Sequence, residues 1–158
     1  MLAAKQKAPF FRAFNQANQL VSLSDYLGEK NIVLYFYPKD DTPGCTIEAN
    51  QFTALAKEFA RLDTVVIGVS KDTCESHQAF IDKYDLDLQL QLLADTSGEI
   101  CEQYGVWQEV EKEGVKKWKI VRSTFIINRD GIIEEALYGV AHEGHAQEIL
   151  DKIKSAVQ

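Results

Sequence analysis

The stretch that most constrains this chain is a short apolar run followed by a loop that ends in a cysteine. Residues 32–37 read IVLYFY and stop at Pro38, and the sequence TPGC occupies positions 42–45. A continuous apolar run predicts an interior strand, here over 30–37, that is buried on both faces. The apolar spacing after Cys45 predicts a helix over about 43–61. The first turn of that helix therefore carries the cysteine.

The residues around the predicted helix start favour a reactive cysteine. Thr42 suits the N-cap position, because its hydroxyl can accept a hydrogen bond from a first-turn amide. Pro43 then falls at the first helical position, where its missing N–H removes no hydrogen bond. Unpaired amides and the positive end of the helix dipole surround Cys45. This environment favours the thiolate over the thiol, so we predict that Cys45 is nucleophilic at neutral pH.

The same residues resemble a known family. Pro38, Thr42 and Cys45 match the active-site signature of the peroxiredoxins, and YFYPKDDTPGCTIEA is similar to their peroxiredoxin Q subfamily, also called bacterioferritin comigratory protein. Further similar segments are GVSKD at 68–72, LLADTSGEICEQYGVW at 92–107 and RSTFIINRDGII at 122–133. Many members carry a second cysteine five residues after the first, whereas this chain has Asn50 there.

The resemblance implies a thiol-dependent peroxidase that reduces hydrogen peroxide and organic hydroperoxides. The Cys45 sulfur would attack one peroxide oxygen and become a sulfenic acid. Thioredoxin or a similar thiol reductant would then restore the thiol. The resemblance implies no bound cofactor, and neither the cysteines nor His77, His142 and His145 have a metal-binding spacing. We expect each histidine to lie at the surface or at a helix end.

The resemblance also assigns an arginine far along the chain, which by position is Arg122. Its positive charge would favour the thiolate, and its planar fork of donors would orient the peroxide. The amides of Gly44 and Cys45 are candidates for binding the peroxide oxygens. The Thr42 hydroxyl is expected to contact both thiolate and substrate.

Two further positions have a role at the site and an ordinary alternative. Pro38 would shield the site from water, and it would equally end the preceding strand. Glu48 matches a residue typical of the subfamily and would hold Arg122. The alternative for Glu48 is a carboxylate favoured by the helix dipole.

The cysteine that resolves the sulfenic acid is an open question. Cys101 is expected to be a buried structural cysteine beside Ile100. Cys74 follows the predicted strand 64–70, so it would share the carboxyl edge of the sheet with Cys45 if the two strands are parallel neighbours. Its place in a first helical turn suggests an activated thiol. Cys74 is thus a possible resolving cysteine, unpaired before oxidation, and the competing mechanism is one-cysteine catalysis with an external thiol.

Composition limits the function classes. The 158 residues suit one domain over 1–158. A net charge of −7 argues against a nucleic-acid or anionic-membrane surface. No apolar run approaches the roughly 20 residues that span a bilayer, and the first residues lack the apolar core of a signal peptide. With three cysteines, we expect a reducing, cytoplasmic setting. We also expect a monomer or weak homodimer.

The remaining pattern predicts an α/β fold. It consists of a strand at 64–70, a helix ending near Tyr84, a short strand at 91–94, a helix from Thr96 through Tyr104, a charged hairpin or loop at 110–118, strands at 119–127 and 132–138, and a final helix with an apolar stripe ending at Val157. This order gives a mixed central sheet with helices on both faces. It fits a thioredoxin-like fold, which the peroxiredoxin resemblance also implies.

Two other function classes fit parts of this pattern. A thioredoxin-like disulfide reductase would use the same fold, but the absence of a CxxC motif disfavours it. A redox sensor or chaperone-like protein would react with peroxide without turning over. Insulin reduction would identify the reductase, and peroxide consumption with a recycling thiol system would separate a peroxidase from a sensor.

Overall fold

The computed structural model describes residues 1–86 and 90–156. The strands of these residues are, in chain order, β1 (Arg12–Phe14), β2 (Leu20–Ser22), β3 (Asn31–Phe36), β4 (Thr64–Ser70), β5 (Leu90–Ala94), β6 (Trp107–Lys112), β7 (Val115–Ile120), β8 (Ser123–Ile127) and β9 (Ile133–Tyr138). The helices are α1 (Pro43–Ala54), α2 (Ala56–Arg61), α3 (Cys74–Tyr84), α4 (Glu99–Gln103) and α5 (His145–Ala156), and a single 3-10 turn spans Leu23–Asp25.

Five of the strands form the central sheet in the order β5-β4-β3-β8-β9. Strands β3, β4 and β5 are parallel, whereas β8 runs antiparallel to both β3 and β9. The carboxyl ends of parallel strands meet at one edge of a sheet. The loops that follow β3 and β4 therefore leave from the same edge, as predicted for the segments that carry Cys45 and Cys74.

Strand β3 separates two hydrophobic cores. Ile32, Leu34 and Phe36 point into a core shared with α4 and the N-terminal segment. Val33 and Tyr35 point into a second core shared with α1, α2, α3 and α5. The continuous apolar run of β3 is thus buried on both faces, and helices cover both faces of a mixed sheet. The predicted thioredoxin-like α/β architecture is confirmed.

The helix predicted over 43–61 is two helices in the structure. At Leu55 the backbone leaves the helical region (φ −103°, ψ 5°), and the Leu55 amide bonds the Phe52 carbonyl instead of continuing the regular ladder. The apolar spacing that predicts this helix includes Ile47, but Ile47 is exposed. The inward positions of α1 are filled by Cys45, Glu48, Ala49 and Phe52. A charged residue occupies the buried face, and an apolar pattern cannot signal that.

The strand predicted over 119–127 is likewise two strands. Strand β7 ends at Ile120 and belongs to a separate two-stranded sheet with β6, as the hairpin interpretation of 110–118 requires. The chain then crosses to the central sheet through residues 121–122. The helix predicted from Thr96 begins at Glu99, because Asp95 accepts hydrogen bonds from two amides of α4.

The last helix has the predicted amphipathic stripe, with Ala146, Ile149, Leu150 and Ile153 buried. Val157, the predicted end of that stripe, lies outside the described residues. Within the described ranges, none of the helices combines the length and apolarity needed to cross a bilayer.

Candidate active site

The loop after β3 delivers Cys45 to the first turn of α1. Thr42 is the N-cap residue in extended conformation (φ −93°, ψ 155°), and the Thr46 amide bonds the Thr42 carbonyl at 2.9 Å. The predicted cap position is right, but the predicted cap bond is wrong. The Thr42 hydroxyl donates to the Lys39 carbonyl at 2.9 Å instead of accepting from a first-turn amide. Its oxygen therefore keeps lone pairs that can accept a hydrogen bond from a ligand.

Arg122 lies directly against the cysteine. Its Nη2 donates to Cys45 Sγ at 3.3 Å, and its Nη1 donates to Glu48 Oε1 at 2.6 Å. Register explains this placement: Ser123 pairs with Phe36, the last residue of β3, so the residue before Ser123 lies beside the start of the Cys45 loop. Strand pairing thus joins two residues that are 77 positions apart in the chain.

The Cys45–Arg122–Glu48 cluster is almost closed to water. Cys45 is 2% exposed, and the Arg122 and Glu48 side chains are 14% and 0% exposed. Burial raises the pKa of Glu48 to about 7, although Arg122 opposes this shift. Burial alone would lower the pKa of Arg122, but the charges of Glu48 and Cys45 raise it overall. The Arg122 guanidinium therefore contacts both Glu48 and Cys45 in a site that is nearly closed to water, where charge interactions are strong.

Gly44 lies beside Arg122 in this cluster. Helix geometry leaves the amides of Gly44 and Cys45 without intrahelical acceptors, as it does in every first turn. Gly44 is half-buried, and Pro38 is exposed just beyond the end of β3. Asn50 is exposed on the outer side of α1. Donors thus point into the site from the helix start and from Arg122.

Cys74 is the first residue of α3, but its surroundings differ from those of Cys45. Thr73 caps the helix by accepting from the Ser76 amide at 3.1 Å. The Cys74 thiol lies 4.0 Å from the Phe14 carbonyl oxygen, in an open pocket that residues 16–18 help to form. Burial and the Glu75 carboxylate raise the pKa of Cys74. The expected activation of this thiol by the helix start is therefore wrong.

The placement of Cys74 also matters for disulfide formation. Asn15, next to the carbonyl that Cys74 faces, bridges to Leu93 of the edge strand β5. The Cys74 thiol thus lies towards β5, whereas Cys45 contacts Arg122 at the start of β8, on the other side of β3. Cys101 is fully buried, and its pKa is raised by burial and by its hydrogen bond to Asp95. Within the described residues, all three cysteines are free thiols.

Two of the three histidines are buried. The expectation of a surface or helix-end position is wrong for His77, which lies within α3, and right for His145, which begins α5. His77 is 0% exposed and His145 is 3% exposed. His145 Nε2 bonds Thr124 Oγ1 at 2.8 Å, and burial lowers the pKa of His145. The sequence carried a signal for His77, because Phe80, Ile81 and Tyr84 follow it at the spacing of a buried helix face.

His77 belongs to a buried network next to the active-site loop. Its Nε2 lies 2.9 Å from the Leu93 carbonyl, which can only accept, so Nε2 donates. Its Nδ1 lies 2.7 Å from Asp40 Oδ2, and the Tyr37 hydroxyl donates to Asp40 Oδ1 at 2.6 Å. Asp40 precedes the N-cap Thr42 by two residues. The network therefore fastens the loop that carries Cys45 to helix α3.

One potential metal-ligand atom from each of Asp40, Asp72 and His77 lies within 4.8 Å of the other two, a spacing that suits a metal ion. Each is already satisfied by protein groups. Asp72 Oδ2 accepts from the Asp40 amide at 2.8 Å and from Ser70 Oγ at 2.7 Å. We therefore interpret the cluster as a hydrogen-bond network that positions the loop.

Comparison with known proteins shows what this chain is similar to. The AhpC/TSA family model matches residues 4–136. The chain is 42% identical to peroxiredoxin Bcp of Bacillus subtilis (strain 168) over 149 residues, which cover 94% of this chain and 93% of that protein. A mutant of PrxQ from Xylella fastidiosa superposes with a TM-score of 0.93 at 31% identity, over 100% of this chain and 99% of that chain.

A second solved structure is that of the bacterioferritin comigratory protein of Xanthomonas campestris. It superposes with a TM-score of 0.91 at 30% identity and covers 98% of this chain and 99% of that one. The work on that protein concerns its alkyl peroxide reduction activity and its trapped intermediate and ligand complexes.

Proposed function

The chain belongs to the AhpC/TSA family, in its peroxiredoxin Q branch, and is a thiol-dependent peroxidase; on that premise, we propose that Cys45 is the residue that attacks the peroxide. The observation that carries this assignment is the 3.3 Å contact between Cys45 Sγ and the Arg122 guanidinium at the start of α1. A guanidinium held against the sulfur at the start of a helix is the kind of environment in which cysteines act as nucleophiles.

The groups around the sulfur have complementary roles towards a bound peroxide. The Gly44 and Cys45 amides and Arg122 Nη2 donate hydrogen bonds to the peroxide oxygens. The Thr42 hydroxyl, whose proton is held by the Lys39 carbonyl, accepts a hydrogen bond from the peroxide O–H. Glu48 holds Arg122 in place through the 2.6 Å ion pair. Pro38 limits the access of water to the loop.

The reaction step follows from these contacts. The Cys45 thiolate attacks the terminal oxygen of the peroxide, an S–O bond forms and the O–O bond breaks. The sulfur is oxidised by two electrons to sulfenic acid, and the departing oxygen leaves with the electron pair and is protonated to water or an alcohol. Arg122 and the first-turn amides stabilise the charge that develops on the oxygens.

We propose that a thiol such as thioredoxin reduces the Cys45 sulfenic acid directly, with a Cys45–Cys74 disulfide as the competing route. The position of Cys74 on the β5 side supports the direct route. A disulfide needs Cα atoms about 4.4–6.8 Å apart. The intramolecular route would require the first turns of α1 and α3 to unwind, and first turns are the parts that do so most readily because few of their amides have intrahelical partners.

The assignment of Cys45 is tested by Cys45→Ser, which should abolish turnover of hydrogen peroxide because an alcohol does not ionise near neutral pH. Cys101→Ala is the matched control, since Cys101 is equally buried but lies in the other core. It should keep its activity. Substantial turnover by folded Cys45→Ser, as judged by circular dichroism, would refute the assignment.

The recycling route is tested by intact mass after one equivalent of peroxide. Direct reduction predicts a protein heavier by one oxygen atom at Cys45, with Cys74 free to alkylate, and normal turnover of Cys74→Ser with small thiols. A product that is instead lighter by two hydrogen atoms, in which the peptides containing Cys45 and Cys74 are linked, would establish the disulfide route.

We further propose that residues 1–158 act as one domain in the cytoplasm, as a monomer or weak homodimer that binds neither nucleic acid nor membranes. The net charge of −7 supports the proposal that the protein binds neither nucleic acid nor membranes. Sedimentation of the reduced and oxidised protein over a range of concentrations would test the oligomeric state.

A further inference from the structure

The loop between β9 and α5, residues 139–144, is fastened at both ends to the elements that form the Cys45 site. The Val140 amide bonds the Arg122 carbonyl at 2.9 Å. The Gly144 amide bonds Gln51 Oε1 of α1 at 2.8 Å. These two hydrogen bonds therefore attach the loop to Arg122 and to the helix that carries Cys45.

This loop places the His142 side chain against Gly44 in the first turn of α1. A Cβ placed on Gly44 would lie 3.1 Å from His142 Nδ1, 3.3 Å from its Cγ and 3.3 Å from Arg122 Nη2. The imidazole and the guanidinium thus share the space next to the Gly44 Cα, and a Cβ there would crowd both. His142 is half-buried, so its imidazole contacts both this turn and solvent.

The peroxidase step leaves one requirement open, which is the proton for the departing oxygen. Among the described groups around Cys45, Thr42 already donates to Lys39, and Arg122 has a raised pKa and does not release its proton. Glu48 is 0% exposed behind Arg122. The His142 imidazole, which lies against Gly44 in the same helical turn as Cys45, is a further group beside the site that can carry a proton.

We propose that His142 is a catalytic acid that hydrogen-bonds the departing oxygen of the bound peroxide and protonates it. The thiolate forms its bond to the terminal oxygen, the O–O bond breaks, and the alkoxide or hydroxide takes a proton from the protonated imidazole. The products are the Cys45 sulfenic acid and an alcohol or water, and the imidazole regains its proton from solvent. Arg122 is already paired with Glu48 and Cys45, which leaves the imidazole as the mobile proton carrier.

This inference rests on the proposed role of Cys45, and its test compares peroxides that differ in their need for a proton. Hydrogen peroxide and tert-butyl hydroperoxide release strongly basic oxygens, whereas peracetic acid releases acetate, which needs no proton at neutral pH. His142→Gln should slow oxidation of Cys45 by the first two by roughly 100-fold, the usual size of a general-acid contribution, and should change the peracid rate by less than about threefold. Glu143→Gln, an exposed change in the same loop, is the control and should change none of the rates.

A second variant separates chemistry from loop structure. His142→Ala should show the same selectivity, and added imidazole should restore part of its rate with tert-butyl hydroperoxide. Equal slowing of all three peroxides in folded His142→Gln, or no slowing of any, would overturn the proposal. If wild-type Cys45 reacts with none of the three, the proposed function of Cys45 itself fails, and that outcome is distinct.

Discussion

At the scale of the residue, the site depends on one guanidinium that contacts a thiol and a carboxylate at once. Arg122→Ala should reduce the rate of Cys45 oxidation by roughly 10²–10³-fold, because it removes both a positive charge and a preorganised donor. The fold should persist, since burial has already raised the pKa of Glu48 to about 7 and the loss of Arg122 would raise it further, leaving a neutral acid. Stopped-flow measurement of Cys45 oxidation would give the loss of rate. Absorbance of the thiolate would show the effect of removing the positive charge.

Arg122→Lys is the informative companion to that variant. A lysine keeps the charge but presents a single ammonium, which cannot donate to Cys45 and Glu48 in the forked geometry that the structure shows. Its rate should remain within about tenfold of the alanine variant. A lysine variant close to wild type would mean that charge alone suffices and that the fork has no role.

The sequence predicted these residues with uneven success. The cap, proline, glycine and cysteine at 42–45 mark the helix start by local chemistry, so Cys45 could be placed without a structure. Arg122 could be named only through the family resemblance, because its contact with Cys45 arises from the pairing of β3 with β8. For His142 the sequence predicts only a position at the surface or at a helix end, and no local pattern links it to Gly44.

At the scale of the element, the loop before Cys45 is held against α3 by the buried Asp40–His77 pair. His77→Phe should destabilise the protein by about 1–3 kcal/mol, since it removes the hydrogen bonds of the buried imidazole to Asp40 and to the Leu93 carbonyl. It should also raise amide hydrogen exchange in the first turn of α1, although that turn does not touch His77 directly. Urea unfolding and exchange mass spectrometry would measure these effects.

The control for this prediction lies one residue further along the same helix. Gln78 bonds the exposed side of Asp82, so Gln78→Ala should leave exchange near Cys45 unchanged and cost less than about 0.5 kcal/mol. Increased exchange confined to α3 in the His77 variant would show that the pair stabilises its helix without fastening the loop.

Element boundaries show where sequence reasoning was limited. The break at Leu55 has no proline or glycine to announce it. The run 119–127 is apolar enough at its end to suggest one strand, but the Val121 amide bonds the Val106 carbonyl as the chain leaves the hairpin for the central sheet. In the second case a bond to a residue outside the run overrides a locally continuous pattern.

At the scale of the whole molecule, a buried acid in the second core couples the site to global stability. Glu48 has a pKa of about 7 in the folded protein, against an ordinary value of 4.5. Between these values the folded state holds a proton that the unfolded chain has lost. Raising the pH through this window therefore favours unfolding, and the shift corresponds to a stability loss on the order of 3 kcal/mol.

Glu48→Gln tests this coupling, because glutamine fills the same space and does not titrate. From about pH 5 to about pH 8, the unfolding free energy of the wild type should fall more steeply than that of Glu48→Gln, and the difference in slope is the contribution of Glu48. Glu75→Gln, which changes an exposed glutamate, should follow the wild-type curve. Parallel curves for wild type and Glu48→Gln would mean that Arg122 keeps the carboxylate ionised throughout this range. In that case the guanidinium is divided between two anions at every pH at which the peroxidase works.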